Sequence, residues 1–145
     1  QNPDQLAAVS DDPDAVGPAI EELLRYLSVV QHAIPRITTT DVEVDGVVIP
    51  AGRLVLLSLP SANRDPDFID RPDVLDITRG AAGHVAFGHG VHHCLGAPLA
   101  RMEMRVAFPA LLRRFPTLAL VRDLGDVEFR QFNLIYGAAS LPVTW

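Results

Sequence analysis

The stretch "FGHGVHHCLG", residues 87–96, decides the fold. It holds the only cysteine of the chain, Cys94, with His89, His92 and His93 just before it. Four chemistries compete for it: a zinc cluster, an activated nucleophile, a thiolate ligand to a flat cofactor, and a buried thiol beside ordinary histidines. Structural zinc sites take two ligand pairs at short spacing with two or more cysteines, and one loop with a lone thiol matches no such template. A cysteine nucleophile needs a base that meets it in space, and sequence neighbours rarely do so. A buried thiol is the common fate of a lone cysteine, yet it leaves Gly88, Gly90 and Gly96 unexplained. Glycines permit positive φ and close backbone approach. Backbone N–H groups in such a turn stabilise a thiolate, and the positive end of a helix starting near Ala97 lowers a thiol pKa. Phe87 is placed to shield the sulfur. The loop reads as a holder for an anionic sulfur against something flat.

On its C-terminal side, "APLARMEMRVAFPALLRR" (97–114) predicts a helix with Leu99, Met102 and Val106 on one face. Pro109 lies inside it and predicts a kink or restart. On the N-terminal side, residues 60–83 are rich in Asp, Pro, Arg and Gly and read as a long ordered loop, the kind that wraps a functional element. Residues 36–58 read as a small antiparallel sheet, with Asp45-Gly46 as a tight turn and "RLVLLSL" as a third strand. A helix is predicted over 14–28, with Ile20, Leu23, Leu24 and Leu27 on one face. Residues 3–9 read as the end of another. After Pro116, short runs such as "LALV" and "LPVTW" suggest one or two hairpins.

Composition excludes several classes. The chain has 145 residues, 48% of them hydrophobic, which bounds it to a single folded unit rather than disorder. A net charge of −6 argues against nucleic-acid binding. The longest apolar runs are broken by Pro, Gly or Arg, so no membrane span is expected. A lone cysteine fits a reducing, cytoplasmic setting. The opening "QNPDQLAAV" has no initiator Met and reads as the interior of a longer chain.

"FGHGVHHCLG" resembles the haem-binding loop of cytochrome P-450 monooxygenases, whose pattern is F-x-x-G-x-x-x-C-x-G. Phe87, Gly90, Cys94 and Gly96 match its four fixed positions. Glu22 and Arg25 in "EELLR" match the family's E-x-x-R, "NRDP" (63–66) opens its meander, and "LPVTW" resembles a closing strand of bacterial members. The resemblance implies a mainly α fold with small antiparallel β-sheets, α+β within residues 1–145, which would form the C-terminal haem-binding part of one domain. No acid–threonine pattern A/G-G-x-D/E-T-T for oxygen activation occurs in these residues. Cys94 would be the axial thiolate on the iron of haem b, with Phe87, Gly88, Gly90 and Gly96 shaping the loop. His92 and Arg36 would bind the haem propionates. His84 would cap the loop; His89 and His93 carry no fixed role.

Glu22 and Arg25 would form a structural ion pair completed by a basic residue of the meander. That position holds Val74, so either Arg71 substitutes or the network is incomplete. Val30, His32, Ala33, Leu134 and Ile135 would line a greasy substrate pocket, with ordinary core packing as the alternative. Arg101 and Arg105, at i,i+4, would steer an acidic ferredoxin onto the proximal face, with a solvated helix face as the alternative. The implied function is a haem-thiolate monooxygenase that inserts one oxygen atom from O2 into a small organic substrate, with electrons from NAD(P)H. The other reading is a truncated, non-catalytic haem-binding remnant.

Overall fold

The computed structural model describes residues 2–32, 34–130 and 133–145. Helix α1 (Pro3–Asp11) leads through a 3-10 turn, Pro13–Ala15, into α2 (Val16–Leu27). Asp12 caps the turn by accepting from the Asp14 amide at 2.9 Å, as an Asp at a helix start does. Ser28 ends α2 in the left-handed region, φ 41°. The Ser28 hydroxyl donates to the Arg25 carbonyl at 2.6 Å, which satisfies one of the last-turn acceptors.

The predicted face of α2 is buried at Ile20 and half-buried at Leu23 and Leu24, but the most buried side chains extend beyond it. Val16, Ala19, Ile20, Glu22 and Arg25 are buried, whereas Leu27 is 54% exposed. Periodicity registers apolar residues only, so a stripe carrying a paired charge escapes it.

Residues 36–58 form two separate pairs. Strand β1 (Arg36–Ile37) pairs antiparallel with β4 (Leu54–Val55), while β2 (Val42–Val44) and β3 (Val47–Ile49) make a hairpin between them. Asp45 and Gly46 turn that hairpin at φ 49° and 75°, the backbone that a tight two-residue turn demands. The expected single sheet fails at Pro50, which has no N–H to extend the β3 ladder. The chain turns there instead, with the Ala51 amide donating to Asp41 Oδ1 at 2.8 Å. Only two residues of "RLVLLSL" are strand; Leu59–Ala62 forms a short helix, α3, whose first turn is capped by Ser58.

From Asn63 to Gly90 the chain runs in successive turns, then a 3-10 turn, Gly90–His92, leads to α4 (Ala97–Arg114). No restart occurs at Pro109: α4 is continuous. The carbonyl that loses its bond lies four residues back, on exposed Arg105, where water can meet it. The face of Leu99, Met102 and Val106 is 54, 57 and 67% exposed. Strand β5 (Ala119–Leu120) closes against β6 (Val143–Thr144). Helices with small antiparallel pairs are the architecture expected from the sequence. Among the described residues, no helix is long and apolar enough to cross a membrane.

Candidate functional site: a pinned cysteine loop

The centre of the structure is ionic. Arg25 and Glu22 are both fully buried, joined by two 2.8 Å hydrogen bonds from Nε and Nη2 to the two carboxylate oxygens. Arg25 Nη1 donates to the carbonyls of Asn63 (3.0 Å) and Pro72 (2.8 Å), and Nη2 to that of Val74 (3.3 Å). Each of its five N–H groups therefore has an acceptor, the condition under which a buried guanidinium is tolerable. Glu22 Oε1 also accepts from the Asp76 amide at 3.0 Å.

The third charge of this cluster is Arg79. Its Nε lies 3.3 Å from Glu22 Oε1, with the side chain 11% exposed. The contact is ionic rather than an aligned hydrogen bond, and Nε is the one buried side-chain polar atom without such a bond among the described residues. Val74 supplies no charge; its carbonyl accepts from both Arg25 and Arg79. Arg71 is not the substitute either: it lies at the surface against Asp70 and Asp76. An irregular loop has no period, so the sequence offers no rule for which of its arginines folds inward. Gln5 clamps the same loop from α1, donating to the Leu75 carbonyl at 2.9 Å and accepting from the Ile77 amide at 3.0 Å.

Asn63 carries the order of this cluster to the cysteine loop. Its backbone carbonyl binds Arg25, its Nδ2 donates to Ser28 Oγ at 2.9 Å, and its Oδ1 accepts from the Val85 amide at 2.7 Å. Within "NRDP" nothing local marks Asn63 for this role, because its full burial at the end of α3 arises only from the tertiary fold.

Within the loop, Gly88 and Gly90 sit at φ 75° and 72°, where a side chain would be strained. The Cys94 amide donates to the Phe87 carbonyl at 2.9 Å, and the His93 amide to that of Gly90 at 3.0 Å. Gly96 differs: its φ is −81°, and a Cβ there would make only ordinary contact, 3.8 Å from Cys94 Sγ. The Leu95 and Gly96 amides, which follow the cysteine, have no acceptor among the described residues. Cys94 is a free, exposed thiol. Val91 and Leu95 beside it are 97 and 98% exposed.

A second network braces the loop from outside. His84, its side chain 2% exposed, bonds Glu21 through Nε2 at 3.0 Å and accepts from the Ala86 amide at Nδ1. That pattern makes Nε2–H the donor to the carboxylate. The expected capping role of His84 holds. Arg101 grips Glu21 with both fork atoms, at 2.7 and 2.8 Å, and lies 4.8 Å over the Phe87 ring. The expectation that Arg101 serves as a free steering charge is therefore corrected: its charge is paired and partly buried. Arg105 is exposed.

The Arg101 hydrogen bonds, aided by those of His84, hold the Glu21 carboxyl below its ordinary value near 4.5 against the opposing effect of burial. A depressed folded pKa favours the folded state above the unfolded value, and the gain is lost as pH falls through the folded one. Acidification below about pH 4.5 should thus weaken the wild type more than Glu21→Gln. Urea midpoints at descending pH check this; parallel pH profiles would contradict it.

Other predicted residues divide. Val30 bridges Ile135, and the Gln31 amide donates to the Leu134 carbonyl at 3.4 Å, so two remote segments meet. Leu134 and Ile135 are 67 and 58% exposed. His32 bridges Ser58 instead; Ala33 lies outside the described residues. Arg36 is exposed, with Nη1 on the Ile34 carbonyl at 2.8 Å. His92 is exposed on the 3-10 turn, and no hydrogen bond joins it to Arg36 among the described residues. No group of three or more His, Cys, Asp or Glu that could hold a metal ion occurs among the described residues.

A buried Glu–Arg pair thus stands behind a pinned, outward-facing cysteine loop. Residues 16–130 match the family model "Cytochrome P450". The chain is 54% identical over 144 residues to cytochrome P450 FAS1 of Rhodococcoides fascians, a match covering 99% of the chain and 36% of that protein. It is 46% identical over 144 residues to cytochrome P450 monooxygenase PikC of Streptomyces venezuelae, covering 99% and 35%. The structure of CYP105P2 of Streptomyces peucetius in complex with a biphenyl compound superposes with a TM-score of 0.94 at 47% identity, covering 99% and 36%. The chain belongs to the cytochrome P450 family. It spans little more than a third of the length of these relatives.

Proposed function

We propose that residues 1–145 are the C-terminal, haem-binding part of a bacterial-type monooxygenase, with Cys94 as the axial ligand of haem b. The observation that supports this most is the state of Cys94. Its sulfur is exposed at the head of a loop whose backbone is otherwise pinned, and the apolar Val91 and Leu95 flank it in the open. A single soft donor on a greasy apron, belonging to no group of three or more ligating residues among the described residues, fits an iron macrocycle and not a closed metal cage.

Haem bound through a thiolate supplies activation of O2 for insertion of one oxygen atom into a small organic substrate, the other leaving as water. The chain's residues hold and shield it. The free Leu95 and Gly96 amides and the N-terminal end of α4 stabilise the anionic sulfur. Phe87 excludes water from its side of the loop. Arg36 and His92 are available to the propionates as exposed donors. The segment around Val30, bridged to Ile135 and followed by His32, supplies part of an apolar substrate wall with Leu134. Electrons come from NAD(P)H through a reductase and a ferredoxin.

With Arg101 committed to Glu21, Arg105 is an exposed cation of α4 with no salt bridge among the described residues. Arg105→Glu should slow reduction by ferredoxin several-fold at low salt, an effect that fades as ionic strength rises. Equal stopped-flow rates at low salt would remove Arg105 from the docking surface.

The exposed face of Leu99, Met102 and Val106 favours a second reading for these residues taken alone, a haem-binding remnant without turnover. The test of the main reading is the carbon monoxide difference spectrum of the reduced, haem-loaded chain. A thiolate-type Soret band supports it; a colourless protein, or a band of the neutral-ligand type, overturns it.

A further inference from the structure

The geometry points to Glu21, Arg101 and His84 as a positioning device for Cys94, acting through Phe87. The inference rests on the haem-thiolate reading for its purpose but not for its geometry. Adjacent residues on a helix point about 100° apart, and α2 uses this. Glu22 turns into the buried cluster with Arg25 and Arg79, while Glu21 turns toward α4 and the cysteine loop. Both fork atoms of Arg101 are spent on Glu21, which fixes the plane of the guanidinium. That plane lies 4.8 Å over the Phe87 ring, within cation–π range. The His93 ring meets the same aromatic edge-on at 6.4 Å. The Phe87 carbonyl in turn receives the Cys94 amide at 2.9 Å. His84, three residues before Phe87, joins the carboxylate of Glu21 to the adjoining Ala86 amide at 3.2 Å. Residues of α2, α4 and the loop thus form one network around this ring, whose own peptide bonds the ligand residue. Arg101 is a positioning residue and touches neither sulfur nor cofactor.

Hydrogen exchange of the Cys94 amide, followed by NMR in the full chain without haem, reads the order of the loop directly, because that amide is held by the Phe87 carbonyl. Arg101→Gln and Glu21→Gln should each speed this exchange about tenfold, as expected when local opening becomes easier by the free energy of one charge-assisted pair. Arg101→Lys, which keeps the cation but loses the fork, should give an intermediate rise. The acceleration should persist unchanged across low urea concentrations, which marks local opening and separates it from global unfolding. Haem-loaded Arg101→Gln should also show a broadened or shifted thiolate Soret band. Wild-type exchange rates in both Arg101→Gln and Glu21→Gln overturn the proposal; should Arg101→Gln not fold, a wild-type rate in Arg101→Lys does the same. Failure of the haem-thiolate reading shows separately, as a Soret band indifferent to Cys94→Ser, while the exchange rates are read with no haem present.

Discussion

Glu22→Ala should leave the chain without a stable native state. The substitution removes the carboxylate that faces two guanidinium groups in the interior: Arg25, fully buried, and Arg79, 11% exposed. Breaking a buried pair from one side costs about 3–5 kcal/mol, because the remaining charge stays desolvated. Two cations share the loss here, and the whole stability of a domain is only about 5–15 kcal/mol. The apolar core offers little reserve, being Val16, Ala19, Ile20, Leu59, Ile77, Ala81, Ala86 and Ala97. Circular dichroism and a urea titration check this. A cooperative transition with a wild-type midpoint would show that the cluster is dispensable. Arg79→Ala should be milder, since Glu22 keeps both bonds from Arg25 and the lost contact is ionic only.

The second large effect is confined to the ligand. Cys94→Ser should abolish the thiolate spectrum and leave the melting temperature near that of the wild type. The Cys94 side chain is exposed and makes no hydrogen bond, so folding takes little from it. The Cys94 backbone bond to Phe87 survives the change. The thiolate is the metal-binding form of a cysteine and a serine hydroxyl offers no equivalent soft anion, so the donor is lost although the loop persists. Carbon monoxide difference spectra and thermal melts of the two proteins, side by side, give the answer. A retained thiolate band would exclude Cys94 as the ligand; a collapsed melt would make it structural.

The two substitutions separate what holds the fold from what the fold presents. The Glu22–Arg25 pair was legible because E-x-x-R lies on one helix, where residues three apart are neighbours whatever surrounds them. The cysteine loop was legible because its glycines are demanded by local backbone: Gly88 and Gly90 need positive φ regardless of tertiary contacts. The Asp45-Gly46 hairpin followed from the same kind of rule. Sequence reasoning failed where partners are chosen across space. It looked to Val74 or Arg71 for the meander charge, and the chain folds Arg79 inward instead. It treated Arg101 as a free charge because its mate, Glu21, lies 80 residues away on another helix. It gave no task to Asn63, whose three kinds of polar group join α2, the meander and the loop.

The sequence by itself determined the motif around Cys94, the helices that flank it, the hairpin and the family to which these point. All of these depend on torsions and spacings within a dozen or so residues. Only the tertiary structure decided which charges are buried together, which arginine is bound and which is free, and what holds Phe87 over the loop. The physical reason is that desolvation makes every buried charge take a partner. Which partner it takes is settled by where the chain returns in space, and short-range pattern carries no record of that.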